Sequence, residues 1–473
     1  MNFYRLLKHI IEDKKTLIIF LFIISLIFSF LSIRNHQQFQ TFAWDLGFFD
    51  QIIWKASRFS YPYSTIGKIN LLGDHFQPVL FLLAPLYWFW PNVKIILIAQ
   101  AFLVVFAGYP LFLLAQSKLK NYFFSWAVIV AYLLFYGTQF TITNEFHQSA
   151  FIPLFLSLFL LFYEKKENAG MVLSAIGLIS CREEMGLLIT ALGLMAIVQK
   201  KLKQGLVLFL FGIFSLFALI YFLIPLLSSQ GRYIHYNYGT AGETPIEVVR
   251  FFLLYPFDFL QLLIKPTVKL KTVFLSFASF GFLPLLSPTS LIPIAQQFVV
   301  RFIDTNTTHR WLNLNHYAAP LGPLLSYGTI NAVKWLKQKF NKKIVGFSAG
   351  LLLFFALLMN WYNHGPINSL SKKQLYENES WIGNNQAVIE RVSKNAKVSA
   401  QNSLVPHLSQ RESIYLLPEI ADSDYIIVDL ADGPNKYSPL TYKQTRELID
   451  KLTASGEYKI VYQKGKSLLI KKI

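Results

Sequence analysis

The sequence has few of the residues and motifs that soluble enzymes use in their commonest active sites. It contains one cysteine, Cys181, in 473 residues, which excludes an internal disulfide and a cysteine-based metal cluster. We interpret Cys181 as a small packing residue. Neither a GxxxxGK[ST] phosphate loop, an HExxH pair nor a CxxC pair occurs. These absences exclude P-loop nucleotide hydrolases, the common zinc proteases and dithiol redox enzymes.

Charged residues are also scarce. They make up 15% of the chain, whereas 54% of the residues are hydrophobic, a balance that indicates a polytopic membrane protein. The net charge of +18 could suggest a nucleic-acid partner. However, the Lys and Arg residues stand in short clusters between apolar runs, so we interpret them as topology signals and expect no nucleic-acid partner.

The apolar runs predict a mostly α fold with about eleven transmembrane helices, since a crossing needs about 20 apolar residues and a re-entrant helix fewer. The predicted spans are residues 17–33, 93–116, 122–141, 149–163, 170–179, 185–199, 205–227, 272–286, 290–302, 316–332 and 344–361. Residues 170–179 are few for a crossing, so they either tilt into the polar residues that follow or form a re-entrant hairpin with 185–199. We also predict amphipathic interfacial helices at 45–59 and 76–90.

The basic connections predict the orientation. Residues 1–16 carry four basic side chains and precede an apolar run without a small-residue cleavage site, which indicates an uncleaved signal anchor with a cytoplasmic N-terminus. With eleven spans, the other Lys clusters fall on the same side. The sequence therefore predicts a multi-pass plasma-membrane protein with a transmembrane domain at 1–361 and a first outer loop at 34–75.

Residues 362–473 are polar enough for a soluble domain, and the same count places them outside the cell. Alternating helix and strand patterns predict a small extracytoplasmic α/β domain that ends in a hairpin. No glycine-rich loop joins a strand to a helix there, so we expect no nucleotide cofactor.

The first outer loop holds the leading site candidates. Asp45 follows the first span and is either the N-cap of the helix at 45–59 or a general base that takes a proton from an acceptor hydroxyl. Asp50 lies about 140° from Asp45 around a helix, which makes it secondary. Asp74 and His75 precede the second interfacial helix and either cap it or meet a lipid-linked phosphate.

Other outer connections add acids, imidazoles and arginines. Glu145 and His147 could share a ligand only in an extended segment, so a divalent metal stays an open alternative. Arg182, Glu183 and Glu184 interrupt an apolar hairpin, and they either form an internal ion pair or take part in a substrate or metal site.

Four basic or neutral donors follow at the same side. Arginine binds phosphate with two parallel hydrogen bonds, but isolated cationic residues at a membrane surface more often meet lipid headgroups. The candidates for phosphate binding are Arg301, His309, Arg310 and His316.

A family resemblance is carried by motifs in a fixed order. Between residues 44 and 325 the chain reads WDLGFFDQIIW, HFQPVLFLLAPLYWFWP, IAQAF, NEFHQSAF, CREEMGL, GFLPLLSP and NHYAAPLGPLL. In these motifs it resembles the polytopic membrane family called domain of unknown function 2079. That family is similar in layout to the GT-C glycosyltransferases, which use polyprenyl-phosphate-linked sugars and carry an acid in the first outer loop. The resemblance implies that Asp45 occupies the catalytic position and that His75 lies near a phosphate contact.

These observations favour a GT-C-like transferase that uses a polyprenyl-phosphate-linked sugar at the outer face of the membrane, with membrane lipids and an envelope acceptor as partners. Asp45 would be the base. Its substrate cavity would be lined by Asp50, Asp74, His75, Glu145, His147, Arg182, Glu183 and Glu184. A transporter or lipid flippase, with acids along a path through the bilayer, and a non-catalytic envelope assembly protein are the alternatives.

Overall fold

Helices dominate the part of the chain that the computed structural model describes, namely residues 13–236, 238–431, 435 and 437–473. Most of the basic segment at 1–16 lies outside these residues. The helices of the apolar region are α1 (Lys14–Gln37), α2 (Phe48–Ser57), α3 (Leu71–Asp74), α4 (Leu86–Phe89), α5 (Lys94–Phe106), α6 (Gly108–Leu119), α7 (Tyr122–Leu134), α8 (Tyr136–Thr143), α9 (Ile152–Lys165), α10 (Asn168–Cys181), α11 (Met185–Val198), α12 (Leu202–Ala218), α13 (Ile224–Leu227), α14 (Pro245–Leu254), α15 (Pro256–Ile264), α16 (Val268–Ala278), α17 (Pro288–Phe302), α18 (Leu321–Lys339) and α19 (Lys343–Tyr362).

Four helical segments of the described chain are long and apolar enough to cross a membrane: α1, α5 with α6, α12 through α13, and α19. A fifth results if α7 and α8, which meet at 53°, form one broken span. The helices α10 and α11 are apolar but shorter. The chain is a multi-pass membrane protein, and the count of eleven stays a prediction, because several of the predicted spans form helices shorter than a straight crossing needs.

The short helices pack closely where small residues meet. A Cβ atom added to Gly186 of α11 would lie 2.7 Å from the carbonyl oxygen of Gly212 in α12. Small residues let the backbones of apolar helices approach, and van der Waals packing then replaces the hydrophobic effect that lipid removes.

Two ends of the helical region differ in charge. One end, which we call the rim face, contains the turns at 43–47, 144–147, 182–184 and 303–316, which contact one another. The opposite end, which we call the basic face, contains the Lys-rich ends of α6, α9 and α18. There Lys118 lies 2.6 Å from Glu164, and Lys337 donates to the Leu119 carbonyl at 2.9 Å.

One short segment of the sequence matches a catalytic motif, but its position in the fold excludes that role. Residues 346–350 read GFSAG, which matches the GxSxG pattern of serine hydrolases. That pattern makes an exposed nucleophile only in a sharp turn between a strand and a helix. Here Ser348 is buried within the continuous helix α19, so it serves packing.

The predicted interfacial helices differ from each other in burial. Residues 76–90 form a 3-10 turn, Pro78–Leu83, and the short helix α4, with Trp88 and Phe89 exposed as expected at a membrane interface. Helix α2 does not lie on the outer surface. The C-terminal region covers its polar side, where Gln51 donates to the Arg411 carbonyl at 3.2 Å.

The first outer loop contains a small hairpin of β1 (Tyr63–Ser64) and β2 (Ile69–Asn70). The C-terminal region contains the strands β3 (Val398–Ala400), β4 (Ile414–Leu416), β5 (Tyr425–Asp429), β6 (Tyr458–Lys464) and β7 (Ser467–Lys472). They form a five-stranded sheet in the order β4-β3-β5-β7-β6. Strands β3, β4 and β5 are parallel, and β5, β7 and β6 are antiparallel. Helices α20 (Ser380–Ile389) and α21 (Tyr442–Ala454) accompany them. The predicted alternation and closing hairpin are confirmed.

Asp50 joins the two regions. Its carboxylate is fully buried and accepts hydrogen bonds from the hydroxyls of Tyr87 at 2.5 Å and Ser409 at 2.6 Å and from the Gln410 amide at 3.2 Å. Burial raises the pKa of Asp50 to about 6, although these hydrogen bonds oppose the shift. Asp50 therefore connects α2 and α4 to the segment after β3.

Asp50→Asn should remove a pH dependence from the stability of the protein. Because the folded-state pKa lies above that of the unfolded chain, the bound proton stabilises the folded state at low pH. This stabilisation, about 3 kcal/mol for a shift of this size, is lost as pH rises from about 4 through about 6. The melting temperature of the wild type relative to Asp50→Asn, measured in detergent, should fall over that interval and then level off.

The exposed Asp450→Asn is the matched control and should show no such trend. A difference between wild type and Asp50→Asn that stays constant from pH 4.5 to pH 8 would contradict the role of the Asp50 proton.

Candidate active site

Asp45 is presented by a π-helical turn, Ala43–Gly47, that precedes α2. Helix α2 begins at Phe48 with Gly47 at its N-cap, so the interpretation of Asp45 as the helix N-cap is wrong. The Asp45 side chain is 41% exposed, and its Oδ2 lies 3.6 Å from Nε2 of His147. Asp45 is thus accessible to a ligand and has an imidazole beside it.

Glu145 holds this turn in place. Its Oε2 accepts the backbone N–H groups of Phe42 at 2.7 Å and Leu46 at 3.3 Å, on either side of Asp45 in the chain. Burial and the neighbouring charge of Asp45 raise the pKa of Glu145 well above its ordinary value. Glu145 therefore fixes the backbone of the turn that carries Asp45.

Glu183 is the centre of a second group. The buried carboxylate receives hydrogen bonds from His75 Nδ1 at 2.7 Å, the Tyr233 hydroxyl at 2.7 Å and the Phe76 N–H at 3.0 Å. Burial favours the protonated acid, but His75, Arg182 and Tyr233 outweigh it and hold the pKa of Glu183 well below its ordinary value. Glu183 is a buried carboxylate ion that orients His75.

Asp74, His75 and His235 converge in front of Glu183. His235 Nε2 lies 2.5 Å from Asp74 Oδ1, and the rings of His75 and His235 stack with centroids 4.0 Å apart. The three side chains offer ligand atoms within 4.8 Å of one another. Imidazole nitrogens with a carboxylate oxygen suit a transition-metal ion such as Zn²⁺, and a carboxylate behind one imidazole is the usual arrangement around such a site. These residues fit a divalent metal ion.

Arg182 contacts His75 and the two carboxylates that follow it in the chain. Its Nη2 lies 3.4 Å from His75 Nε2, and its Nε lies 3.7 Å from a Glu184 oxygen and 3.9 Å from a Glu183 oxygen. The internal Arg–Glu pair weighed from the sequence is thus present. Arg182 also contacts His75, so it belongs both to this ion pair and to the group around His75.

A cavity of about 220 Å³ at the rim face brings the first-loop residues together with distant ones. Its walls combine aromatic rings with acids, imidazoles and one guanidinium. They are formed by Trp44, Asp45, Phe48, Phe49, Ile69, Asp74, His75, Gln77, His147, Gln148, Arg182, His235, His316 and Tyr317.

Two histidines of this wall have unsatisfied nitrogens. The rings of His147 and His316 lie with centroids 3.6 Å apart, and neither Nε2 of His147 nor Nδ1 of His316 has a hydrogen-bond partner among the described residues. Buried polar atoms are nearly always paired, so these two nitrogens are candidate contacts for a polar ligand.

Seven of the predicted site residues lie outside this wall: Asp50, Glu145, Glu183, Glu184, Arg301, His309 and Arg310. Asp50 faces the C-terminal region because the residues after β3 cover it. Arg310 pairs with Asp304 and with Glu184, each at 3.1 Å, so its charge is compensated within the protein.

Arg301 has a similar internal role. It donates to the carbonyls of Arg310 and Leu312 at 2.7 Å each and to the Asn313 side chain at 2.8 Å, which fixes the connection before α18. Its Nη1 has no partner among the described residues. Arg301, Arg310 and Glu184 instead line a narrow space of about 20 Å³ that shares Arg182, His316 and Tyr317 with the cavity.

Sequence reasoning missed His235 and Tyr233. Both lie in the polar connection between α13 and α14, which reads GRYIHYNYG and was assigned to the outer side. The available sequence signal for a functional site was a histidine surrounded by tyrosines in a connection predicted to lie at the membrane surface. It carries no spacing rule that points to Asp74 or Glu183, about 160 and 50 residues away.

Comparison with known proteins identifies relatives of the whole fold. The sequence profile of the family described as Predicted membrane protein (DUF2079) matches residues 35–469. A crystal structure of ArnT from Cupriavidus metallidurans bound to undecaprenyl phosphate is similar with a TM-score of 0.56 and 10% identity, covering 98% of this chain and 99% of that one. Its apo state gives a TM-score of 0.54 at 10% identity, with coverage of 97% and 98%. No curated protein matches the sequence.

Proposed function

Since the chain belongs to the DUF2079 family of predicted membrane proteins and has the fold of ArnT, we propose that it is a glycosyltransferase that uses a polyprenyl-phosphate-linked sugar at the outer face of the plasma membrane. The observation that carries this proposal is the convergence of Asp45, Arg182 and the unpaired imidazole nitrogens in one cavity at the rim face. The similar ArnT structure binds undecaprenyl phosphate. The N-terminus would then be cytoplasmic and the C-terminal region extracytoplasmic.

Asp45 acts as the general base. Its carboxylate accepts the proton of the acceptor hydroxyl while that oxygen forms a bond to the anomeric carbon of the sugar. The bond between this carbon and the phosphate oxygen breaks, and the polyprenyl phosphate leaves with the electron pair. His147 places its imidazole beside this carboxylate, with Nε2 3.6 Å from an Asp45 oxygen. Glu145 keeps the turn beneath it in place.

Phosphate binding falls to Arg182 and His316. Arg182 lines the cavity, and His316 presents an unpaired nitrogen close by. Both can donate to phosphate oxygens as charge develops on the leaving group. Arg310 supports this site through its ion pair with Glu184, and Arg301 supports it by holding the connection at 310–313. Neither arginine can contact phosphate unless its present partners move.

Asp74, His75 and His235 would hold a divalent metal ion. When bound, such an ion would supply positive charge that stabilises the leaving phosphate. Glu183 fixes His75 with Nδ1 as the donor, so Nε2, which lies 3.4 Å from Arg182 Nη2, is the nitrogen that would bind a ligand in place of that contact. The residues that bind the ion are therefore oriented before it arrives.

His235→Ala should lose this metal ion. Wild-type protein purified without chelator should contain about one divalent ion per chain by inductively coupled plasma mass spectrometry, because two imidazoles and a carboxylate make a site of useful affinity. The variant should contain much less than one. His309→Ala, which changes a histidine outside this group, is the matched control. Equal metal content in all three proteins would contradict the proposed site.

The transporter alternative requires acids distributed along a path through the bilayer. Asp45 and Asp74 instead line one cavity at the rim face, and Glu183 contacts His75 of its wall, which favours chemistry there. Solubilised protein mixed with radiolabelled polyprenyl-phosphate sugars and envelope lipids separates the two. Release of polyprenyl phosphate supports transfer, whereas binding without release supports transport or assembly.

A further inference from the structure

A second cavity, of about 660 Å³, lies at the basic face, at the end of the helical region opposite Asp45. Helices α6, α9, α17 and α18 and the connection before α12 meet around it. Its wall contains three lysines, Lys118, Lys201 and Lys334, and one carboxylate, Glu164. The wall therefore carries a net positive charge.

The protein neutralises only one of the three lysines of this wall with an ion pair among the described residues. Lys118 lies 2.6 Å from Glu164, which also accepts a hydrogen bond from the Tyr327 hydroxyl at 2.6 Å. This carboxylate therefore pairs with Lys118 and not with the other two lysines. Lys201 and Lys334 form no ion pair with any residue in the described part of the chain; Lys201 lies over the Tyr163 ring at 3.7 Å. Two ammonium groups thus remain for an external anion.

The start of α17 adds to the same field. Residues 287–289 line the cavity, and the 15-residue helix that begins at Pro288 carries a partial positive charge at this end. Helix N-termini attract phosphate groups through this charge. The N–H groups add little here, because Pro288 has none and that of Ser290 donates to the Ser287 carbonyl at 3.0 Å. Here the helix N-terminus acts together with the two lysines.

The remaining wall combines the polar side chains of Gln199 and Asn331 with an exposed apolar part. Leu285, Leu286 and Trp335 line the cavity and are 46%, 44% and 44% exposed. Apolar side chains beside a cationic cavity at the end of a transmembrane bundle match a ligand with a charged head and hydrocarbon chains. The positive-inside rule predicts that the basic face meets the cytoplasmic leaflet, which is rich in anionic lipid.

We propose that this cavity binds the phosphate headgroup of an anionic phospholipid, with Lys201 and Lys334 at the phosphate and the acyl chains against Leu285, Leu286 and Trp335. The site is independent of the proposed transfer reaction, because its residues lie at the opposite end of the protein from Asp45. Free phosphate shares the headgroup chemistry but cannot use the apolar wall.

Native mass spectrometry of the full-length protein tests this proposal, with short-chain phosphatidylglycerol as the anionic probe and phosphatidylcholine of the same chain length as the neutral one. We expect wild type to prefer phosphatidylglycerol. In Lys201→Gln/Lys334→Gln the affinity for phosphatidylglycerol should fall about 25-fold, since each lysine beside an anionic headgroup contributes about a fivefold gain. The control Lys203→Gln/Lys342→Gln removes the same charge from exposed lysines of the same face and should bind like wild type.

Two results would overturn the proposal: equal loss in both double variants, which indicates diffuse surface charge, and full displacement of phosphatidylglycerol by millimolar inorganic phosphate, which indicates a free-anion site. Melting temperatures check folding. Lys334→Gln alone breaks no ion pair with a described residue, so its folded protein provides the test even if the double variant is unstable.

Discussion

Asp45→Asn should abolish sugar transfer while leaving the protein folded. The amide keeps the size of the side chain but cannot accept the acceptor's proton, and general-base catalysis contributes about 10²- to 10⁴-fold to a rate. The Asp45 side chain is 41% exposed and holds no element of the fold, so its loss costs little stability. Release of polyprenyl phosphate from a radiolabelled polyprenyl-phosphate sugar measures the rate.

Asp50→Asn is the matched control for this experiment. It makes the same change five residues later, on a carboxylate that faces Tyr87 and Ser409 rather than the cavity. At pH 7 its transfer rate should stay close to that of wild type. Wild-type turnover by Asp45→Asn would remove Asp45 from the mechanism.

Glu183→Gln should have the largest effect on stability. The buried carboxylate accepts hydrogen bonds from His75, Tyr233 and the Phe76 N–H and balances the charge of Arg182. The amide cannot accept all three hydrogen bonds and leaves Arg182 with less compensation. Removing one partner from a buried charged network costs about 3–5 kcal/mol, so the melting temperature should drop by many degrees and transfer should be lost.

Glu184→Gln provides the comparison at the next residue. The Glu184 side chain is 21% exposed and its partners, Arg182 and Arg310, both keep other contacts. Its effect on melting temperature should be clearly smaller. Equal shifts for the two variants would show that Glu183 is not the centre of the network.

Alternating connections explain why the sequence predicted so much of the site. In the predicted topology each span carries the chain to the opposite side of the membrane, so Asp45, His75, His147, Arg182 and His316 could be assigned to one face by counting. The structure brings these five together around one cavity. Hydropathy and charge sufficed for this because they determine which end of a helix a connection occupies.

Orientation within that face could not be predicted. Asp50 and Asp45 belong to one short segment, yet only the packing of residues 409–410 decides that Asp50 turns away from the cavity. Glu145 reaches the turn beneath Asp45 because its backbone has a positive φ of 54°, which hydropathy does not reveal. His235 reaches Asp74 through a long-range contact that no spacing rule in the sequence predicts.

The most direct measurement is an experimental structure of the protein in lipid with undecaprenyl phosphate bound. We expect the phosphate within hydrogen-bonding distance of Arg182 and His316, in the cavity that contains Asp45, with the polyprenyl chain leaving toward the bilayer. A phosphate bound elsewhere, with this cavity closed to it, would contradict a transferase site at the rim face.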